Sequence, residues 1–344
     1  MNSFKLIIAC FLLFSTTYAK KDLFLKNTSN FYWKIGNQDK APIPKSILEH
    51  AHKKFSWLAT SSYYQKYQST DSVLEAFSHD VSLFTFTMSD DASFKAYYCN
   101  RSSNILVVVV PPYGAQMNDL IRFAGIFHDT DVLIVDYYQT PLYGLAGKVC
   151  SFLIAPTAQE RKKRVKQLTQ LFQTVQQQGY HEIIGAAQCY GAWVLLDTQV
   201  SLTESGTAGF DKLIIDSCPA GVLPLCEKWA EDPVAVATVG NSMGPFWLSL
   251  TTKLFYYPLL ASTSFFYKDF FVEDLLVKIT IPIMFVHNQQ DLLVNDQEFD
   301  RMYQAVKHTR KCALISPFKH LHSSLKAKEL YTEVVNQFVH NVLF

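Results

Sequence analysis

The sequence predicts an α/β protein in which a mostly parallel sheet is covered by helices on both faces and interrupted by an inserted helical cap. Three observations carry that expectation. Strand-like and helix-like runs alternate from residue 105 onward, and such alternation puts parallel strands between layers of helices. The run ILVVVV at 105–110 is short and wholly apolar, as a strand buried on both faces must be. Residues 219–278 are dense in Trp, Phe, Tyr and Leu and have no strand pattern; a segment of that length is long for a connection and reads as an inserted cap.

Taken in order, residues 1–19 carry Lys5, an unbroken apolar run from Leu6 to Phe14, and the small residues Thr17 and Ala19 before a possible cut. The pattern resembles a secretory signal peptide, and the run is too short to cross a bilayer. The mature chain is therefore expected to be secreted or periplasmic, with no stable membrane span. Removing the leader leaves Cys99, Cys150, Cys189, Cys218, Cys226 and Cys312. In an oxidising compartment disulfides become possible, and Cys218 and Cys226 are the nearest pair in sequence. Asn27 and Asn100 each open an Asn-x-Ser pattern.

Residues 20–80 are expected to be an N-terminal helical extension, with helical stretches near 45–67 and 71–79 and a Pro-bounded segment at Ala41–Pro44. From Ser82 the runs SLFTFTM and SFKAYYC, separated by Ser-Asp-Asp-Ala, read as a hairpin. After ILVVVV come the strand DVLIVDY, a long amphipathic helix over 157–178 closed by Gly179, the strand EIIGAA, and a helix from Tyr190 to Leu202. The strands KLIID, PIMFVHN and CALIS follow, and a last helix spans 323–342. The core is thus expected over 81–218 and 279–344, with the cap at 219–278 between them.

A formal net charge of +1 offers no electrostatic reason to expect nucleic-acid binding. The basic run Arg161–Arg164 falls within a helical pattern and reads as a solvated face.

The stretch Ala-Gln-Cys-Tyr-Gly at 187–191 sets a single thiol where an apolar strand meets a helix. A residue at such a joint is thrust over the end of the sheet, where free backbone N–H groups and the helix dipole favour an anion, here a thiolate. The turn crowds the backbone, so the flanking positions Ala187, Gly191 and Ala192 must be small. This stretch resembles the nucleophile elbow Gly-x-Ser-x-Gly of the α/β-hydrolases. Two departures stand out: Ala187 replaces the first glycine, and Cys189 replaces serine, as in dienelactone hydrolases and polyhydroxyalkanoate synthases.

The resemblance implies an α/β-hydrolase fold and two partners later in the chain, an acid and then a histidine. IPIMFVHNQQDLLV resembles the family's seventh strand and acid loop. It places Asp291 in the acid position and Asn288 where glycine is usual, with Asn able to adopt a left-handed turn. CALISPFKHLHSS resembles the eighth strand and histidine loop, and a four-residue gap after the strand lands on His320. His322 is the alternate base, and Asp216, at the end of KLIID, is the alternate acid. The oxyanion donors implied are the backbone N–H groups of Tyr190 and, from the loop after VVVV, Ala115.

These residues together point to a Cys-His-Asp triad that cleaves an ester or thioester through an acyl-enzyme. The alternatives are an acyltransferase of the polyester-synthase type and an inactive secreted binding protein on the same scaffold. The aromatic cap suggests a small, hydrophobic acyl substrate. No cofactor is implied, and a metal reading of His320 and His322 lacks a third ligand.

Overall fold

The structure, a computed structural model, describes residues 31–44, 81–87, 93–112, 125–136, 158–221 and 270–343, with the isolated helical positions 46, 47, 49, 224 and 228. Ten strands form one sheet: β1 (Tyr32–Ile35), β2 (Ala41–Pro42), β3 (Val81–Thr87), β4 (Ser93–Cys99), β5 (Ile105–Val110), β6 (Asp131–Asp136), β7 (Glu182–Gln188), β8 (Lys212–Asp216), β9 (Ile283–Asn288) and β10 (Lys311–Ser316). Their order is β2-β1-β10-β9-β8-β7-β5-β6-β4-β3. The central strands β6, β5, β7, β8, β9 and β10 run parallel, while β3, β4, β1 and β2 pair antiparallel at the margins.

Six helices are described by name: α1 (Ala158–Gln176), α2 (Tyr190–Glu204), α3 (Val272–Leu276), α4 (Asp296–Ala305), α5 (Ser323–Lys326) and α6 (Lys328–Val339). They divide the core into two layers. Leu106, Val108 and Val110 of β5 join one hydrophobic cluster with α1 and α2, whereas Val107 and Val109 join the other with α6. Alternating side chains therefore both find cover, which is why this strand needs no polar face. Each fully buried valine contributes about 1.5–3 kcal/mol by leaving water.

The helices follow the same logic. In α1, Leu168, Leu171, Phe172 and Val175 are buried, a spacing that makes one apolar stripe. Within the basic run, Lys162 and Lys163 are exposed as expected. Arg161 instead pairs with Asp197 at 3.1 Å and lies 3.6 Å over the Phe270 ring, and Arg164 pairs with Glu160 at 2.5 Å. Helix α2 is buried almost all round, from Tyr190 to Leu202. It is therefore wedged between the sheet and its neighbours rather than laid on the surface.

Three expectations need correction. The N-terminal extension is not purely helical, because β1 pairs antiparallel with β10 from Tyr32↔Ile315 to Ile35↔Cys312 and enlarges the sheet. Its signal was four residues long, and the residue before it, Phe31, is buried against the distant Phe318, edge-on at 5.5 Å. The final helix is broken at Ala327 (φ −125°, ψ 44°), giving α5 and α6. The core also reaches into the interval assigned to the cap: Val272 and Leu276 of α3 are fully buried, and Gly221 bridges Phe271 in antiparallel fashion. The leader, Asn27, Cys150, Cys226 and nearly all of the cap lie outside the described residues.

Chain order fixes where a site can form. The chain passes from β5 to β6 on one side, then returns across β5 to β7 on the other. Adjacent loops diverge at such a switch point and leave a crevice at the carboxyl ends of the strands. Cys189 follows β7 at that crevice.

Candidate active site

Cys189 holds φ 50° and ψ −124°, between the last residue of β7 and the first of α2. This is a strained conformation for any residue with a Cβ. The surroundings hold it there: its N–H donates to the Asp216 carbonyl at 2.9 Å, and its carbonyl accepts from Ala192 N at 3.0 Å. Ala187 is buried beneath the turn. A Cβ on Gly191 would lie 2.4 Å from the Pro111 oxygen and 2.5 Å from the Val110 oxygen, so α2 starts against the end of β5. The Cys189 side chain remains partly exposed.

Strain of this kind has a thermodynamic signature. Glycine accepts the backbone conformation, so Cys189→Gly is expected to exceed Cys189→Ala in stability by about 1 kcal/mol, although both lack the thiol. Urea unfolding of the two variants measures the difference, and equal midpoints would show an unstrained turn.

Asp291 and His320 come from the loops after β9 and β10. The Asp291 Oδ1 accepts from the backbone N–H groups of Leu293 at 2.8 Å and Val294 at 3.2 Å, which leaves Oδ2 to meet His320 Nδ1 at 2.6 Å. Both side chains are buried. The two loops are also tied through their backbones, with Gln289 N donating to Ser316 O at 2.8 Å and Gln290 N to Phe318 O at 3.0 Å. His320 Nε2 is buried and has no hydrogen bond of good geometry among the described residues.

The electrostatics name the thiol as the ring's other neighbour. Burial disfavours the charged imidazole, but the Asp291 carboxylate and then a Cys189 thiolate outweigh it, holding the His320 pKa well above its ordinary 6.5. The absence of a well-formed bond to sulfur and the strong coupling are compatible, because hydrogen bonds of catalytic pairs are commonly loose before substrate binds. Cys218 is buried and close enough to feel a charge on Cys189. Burial first, and then the charge of Cys189, push its pKa well up, so it stays a neutral thiol.

The alternates separate on geometry. Asp216 is fully buried and receives Gln188 Nε2 at 2.7 Å, Ser217 Oγ at 2.8 Å and Tyr331 OH at 3.1 Å. Its carboxylate is occupied by the scaffold, and the imidazole of His320 turns to Asp291 instead. Burial raises the Asp216 pKa despite these donors. His322 precedes α5, with its N–H on Lys319 O at 3.0 Å, and it is the ring of His320 that meets the acid. Ala115, the expected second oxyanion donor, lies outside the described residues, whereas Tyr190 opens α2 directly after the thiol.

Asn288 departs from expectation. It is not in a left-handed turn; it ends β9 and its side chain joins Ser217, Ser316 and Ser323. Sequence reasoning missed this buried polar group. Its signal was present, since β7, β8, β9 and β10 end in Gln188, Asp216, Asn288 and Ser316 after otherwise apolar runs. A second carboxylate–imidazole pair, Asp296 with His287 Nε2 at 2.6 Å, was also missed. Among the described residues, no group of three or more His, Cys, Asp or Glu could hold a metal ion. No described helix is long and apolar enough to cross a membrane.

The sequence matches no protein-family model and no curated protein. Solved structures do resemble it in fold. The Pyrococcus furiosus esterase Pf2001 aligns with a TM-score of 0.56 at 14% identity over 78% of this chain and 93% of its own. A membrane phospholipase A described as a bacterial virulence factor aligns with a TM-score of 0.53 at 12% identity, covering 87% of this chain and 99% of its own. A hydrolase from Pseudomonas aeruginosa aligns at 0.52 and 13% identity over 75% of this chain and 98% of its own. The strand order, the mixed sheet and these alignments together establish the α/β-hydrolase fold for this chain.

Proposed function

We propose that the protein is an exported hydrolase that cleaves a carboxylic ester or thioester through Cys189, His320 and Asp291. The observation that carries this reading is the convergence at one end of the sheet. A thiol stands on a strained elbow, and a buried imidazole bound to a carboxylate at 2.6 Å is electrostatically coupled to that thiol.

In the proposed reaction, His320 holds the proton of Cys189 as an imidazolium, and the thiolate attacks the acyl carbon. Charge builds on the carbonyl oxygen, and the backbone N–H of Tyr190 at the start of α2 stabilises it. The bond from carbon to the leaving oxygen or sulfur then breaks, and His320 gives its proton to that atom. A thioester acyl-enzyme remains. Water attacks it with His320 as base, the acid leaves and the thiol returns. Asp291 keeps Nδ1 protonated throughout, so that Nε2 does the proton transfer.

The aromatic composition of residues 219–278 favours an apolar acyl group. Behind the elbow, Tyr190 packs edge-on to Trp193 at 5.5 Å and Trp193 meets Phe270 at 5.3 Å, a buried aromatic backing that runs toward the end of the cap interval. The likeness to esterases and to a membrane phospholipase A makes acyl esters and phospholipids the substrates to try first.

The test is hydrolysis of p-nitrophenyl esters with short, medium and long acyl chains, together with mass spectrometry of the trapped acyl-enzyme. Cys189→Ala is expected to lower turnover by about 10⁴-fold or more with the fold intact. Undiminished turnover, or an acyl group found elsewhere, would remove Cys189 from the mechanism. Transfer of the acyl group to an added alcohol or thiol in preference to water would make the enzyme an acyltransferase.

A further inference from the structure

We infer that Asn288 is a positioning residue of the candidate triad: its side-chain amide ties the strand end behind the Cys189 elbow to the two hydroxyls that bracket the His320 loop. This inference rests on the reading of Cys189 and His320 as a reacting pair.

With the Asp216 carboxylate ionised, the Asn288 amide has only one sensible orientation. Asp216 accepts from Gln188, the residue before the nucleophile, and from Ser217 Oγ at 2.8 Å. Ser217 has thereby used its single proton and must accept from Asn288 Nδ2 at 2.7 Å. The amide orientation follows, and Oδ1 faces Ser316 Oγ at 2.6 Å and the Ser323 hydroxyl. Those two hydroxyls are themselves 2.6 Å apart. Ser316 ends β10 four residues before His320, and Ser323 begins α5 three residues after it.

Gln188, Asp216, Ser217, Asn288, Ser316 and Ser323 are all buried. The network thus crosses the ends of β7, β8, β9 and β10 beneath the reacting groups and clamps the His320 loop at both ends. A side chain rather than glycine is required at 288 because an amide can donate toward Ser217 while its oxygen accepts from the serine pair, whose two protons make two of the three contacts in the triangle. Removing it takes the amide donor from Ser217 and leaves one proton of the Ser316–Ser323 pair without its acceptor, and the loop relaxes toward whatever satisfies them.

The experiment follows iodoacetamide alkylation of Cys189 in the full chain from pH 5 to 10, read by peptide mass spectrometry, with circular dichroism to confirm folding. Folded Asn288→Ala is expected to alkylate about tenfold to a hundredfold more slowly at neutral pH, because a displacement near 1 Å costs that much. Its pH profile should also change, because His320 is no longer held in the same place beside the thiol. A folded variant with the wild-type rate and profile overturns the inference. If Asn288→Ala does not fold, Ser323→Ala and Ser323→Thr decide: slow alkylation in alanine with wild-type behaviour in threonine, which keeps the hydroxyl, supports it, and any other ordering overturns it. A wild-type rate and profile that His320→Ala leaves unchanged instead removes the reacting pair itself, and this inference falls with it.

Discussion

Asp291→Asn is expected to lower kcat for ester cleavage by about a thousandfold or more, comparable to loss of the acid in serine triads. The reason lies in how the carboxylate is wired. Oδ1 already accepts two backbone N–H groups, from Leu293 and Val294. An asparagine must keep its oxygen there, so its NH₂ turns toward His320 Nδ1. That nitrogen then has to accept, and the ring proton moves to Nε2, the atom that should receive the proton of Cys189.

The same substitution has a pH signature. Burial opposes a charge on His320, and Asp291 is the largest contribution in its favour. In the wild type the alkaline limb of the acylation rate, where His320 loses the proton destined for the leaving group, should therefore lie well above the ordinary 6.5. In Asp291→Asn it should move to lower pH. Stability follows the same linkage. A folded-state pKa above the unfolded value makes the ring's contribution complete below about pH 6.5, and that contribution is lost as pH rises through the folded value. Rate profiles and urea midpoints across this window check both statements; an alkaline limb that stays in place in the variant would separate Asp291 from His320.

Gly191→Ala is expected to destabilise the fold by about 3 kcal/mol or more, the upper range for overpacking a close contact. The new Cβ would sit 2.4 and 2.5 Å from two backbone oxygens, and backbone cannot swing aside as a flexible side chain can. Relief requires α2 to withdraw from β5, which carries Tyr190 and Cys189 with it, so thiol reactivity should fall together with stability. Gly125→Ala is the control, because a Cβ there meets nothing within 4 Å. It should change stability by no more than about 0.5 kcal/mol. Urea unfolding of both variants supplies the comparison, and similar midpoints would mean the elbow tolerates its neighbour's withdrawal.

Much of the scaffold could be read locally. ILVVVV, EIIGAA and KLIID are strands in the structure because their uninterrupted apolar character suits burial on both faces, and both faces are in fact covered. The candidate elbow could be read for a related reason: small residues at 187, 191 and 192 surround one thiol at a change of period, and each has a close contact or buried place that explains its size. By contrast, YWKI at 32–35 is too short to declare itself, and it becomes a strand only because β10 offers an unpaired edge.

By itself the sequence determined the strands and helices from β3 to β10, the joint that bears Cys189, and a short list of acids and bases on later loops, because each of these depends on near neighbours in the chain. Only the tertiary structure decided which of them meet. His320 rather than His322 faces Asp291, Asp216 is committed to the scaffold, and Asn288 links the ends of β8, β9 and β10. Those choices turn on hydrogen bonds between segments distant in sequence, each satisfied at the expense of another, and no local pattern records the outcome of that competition.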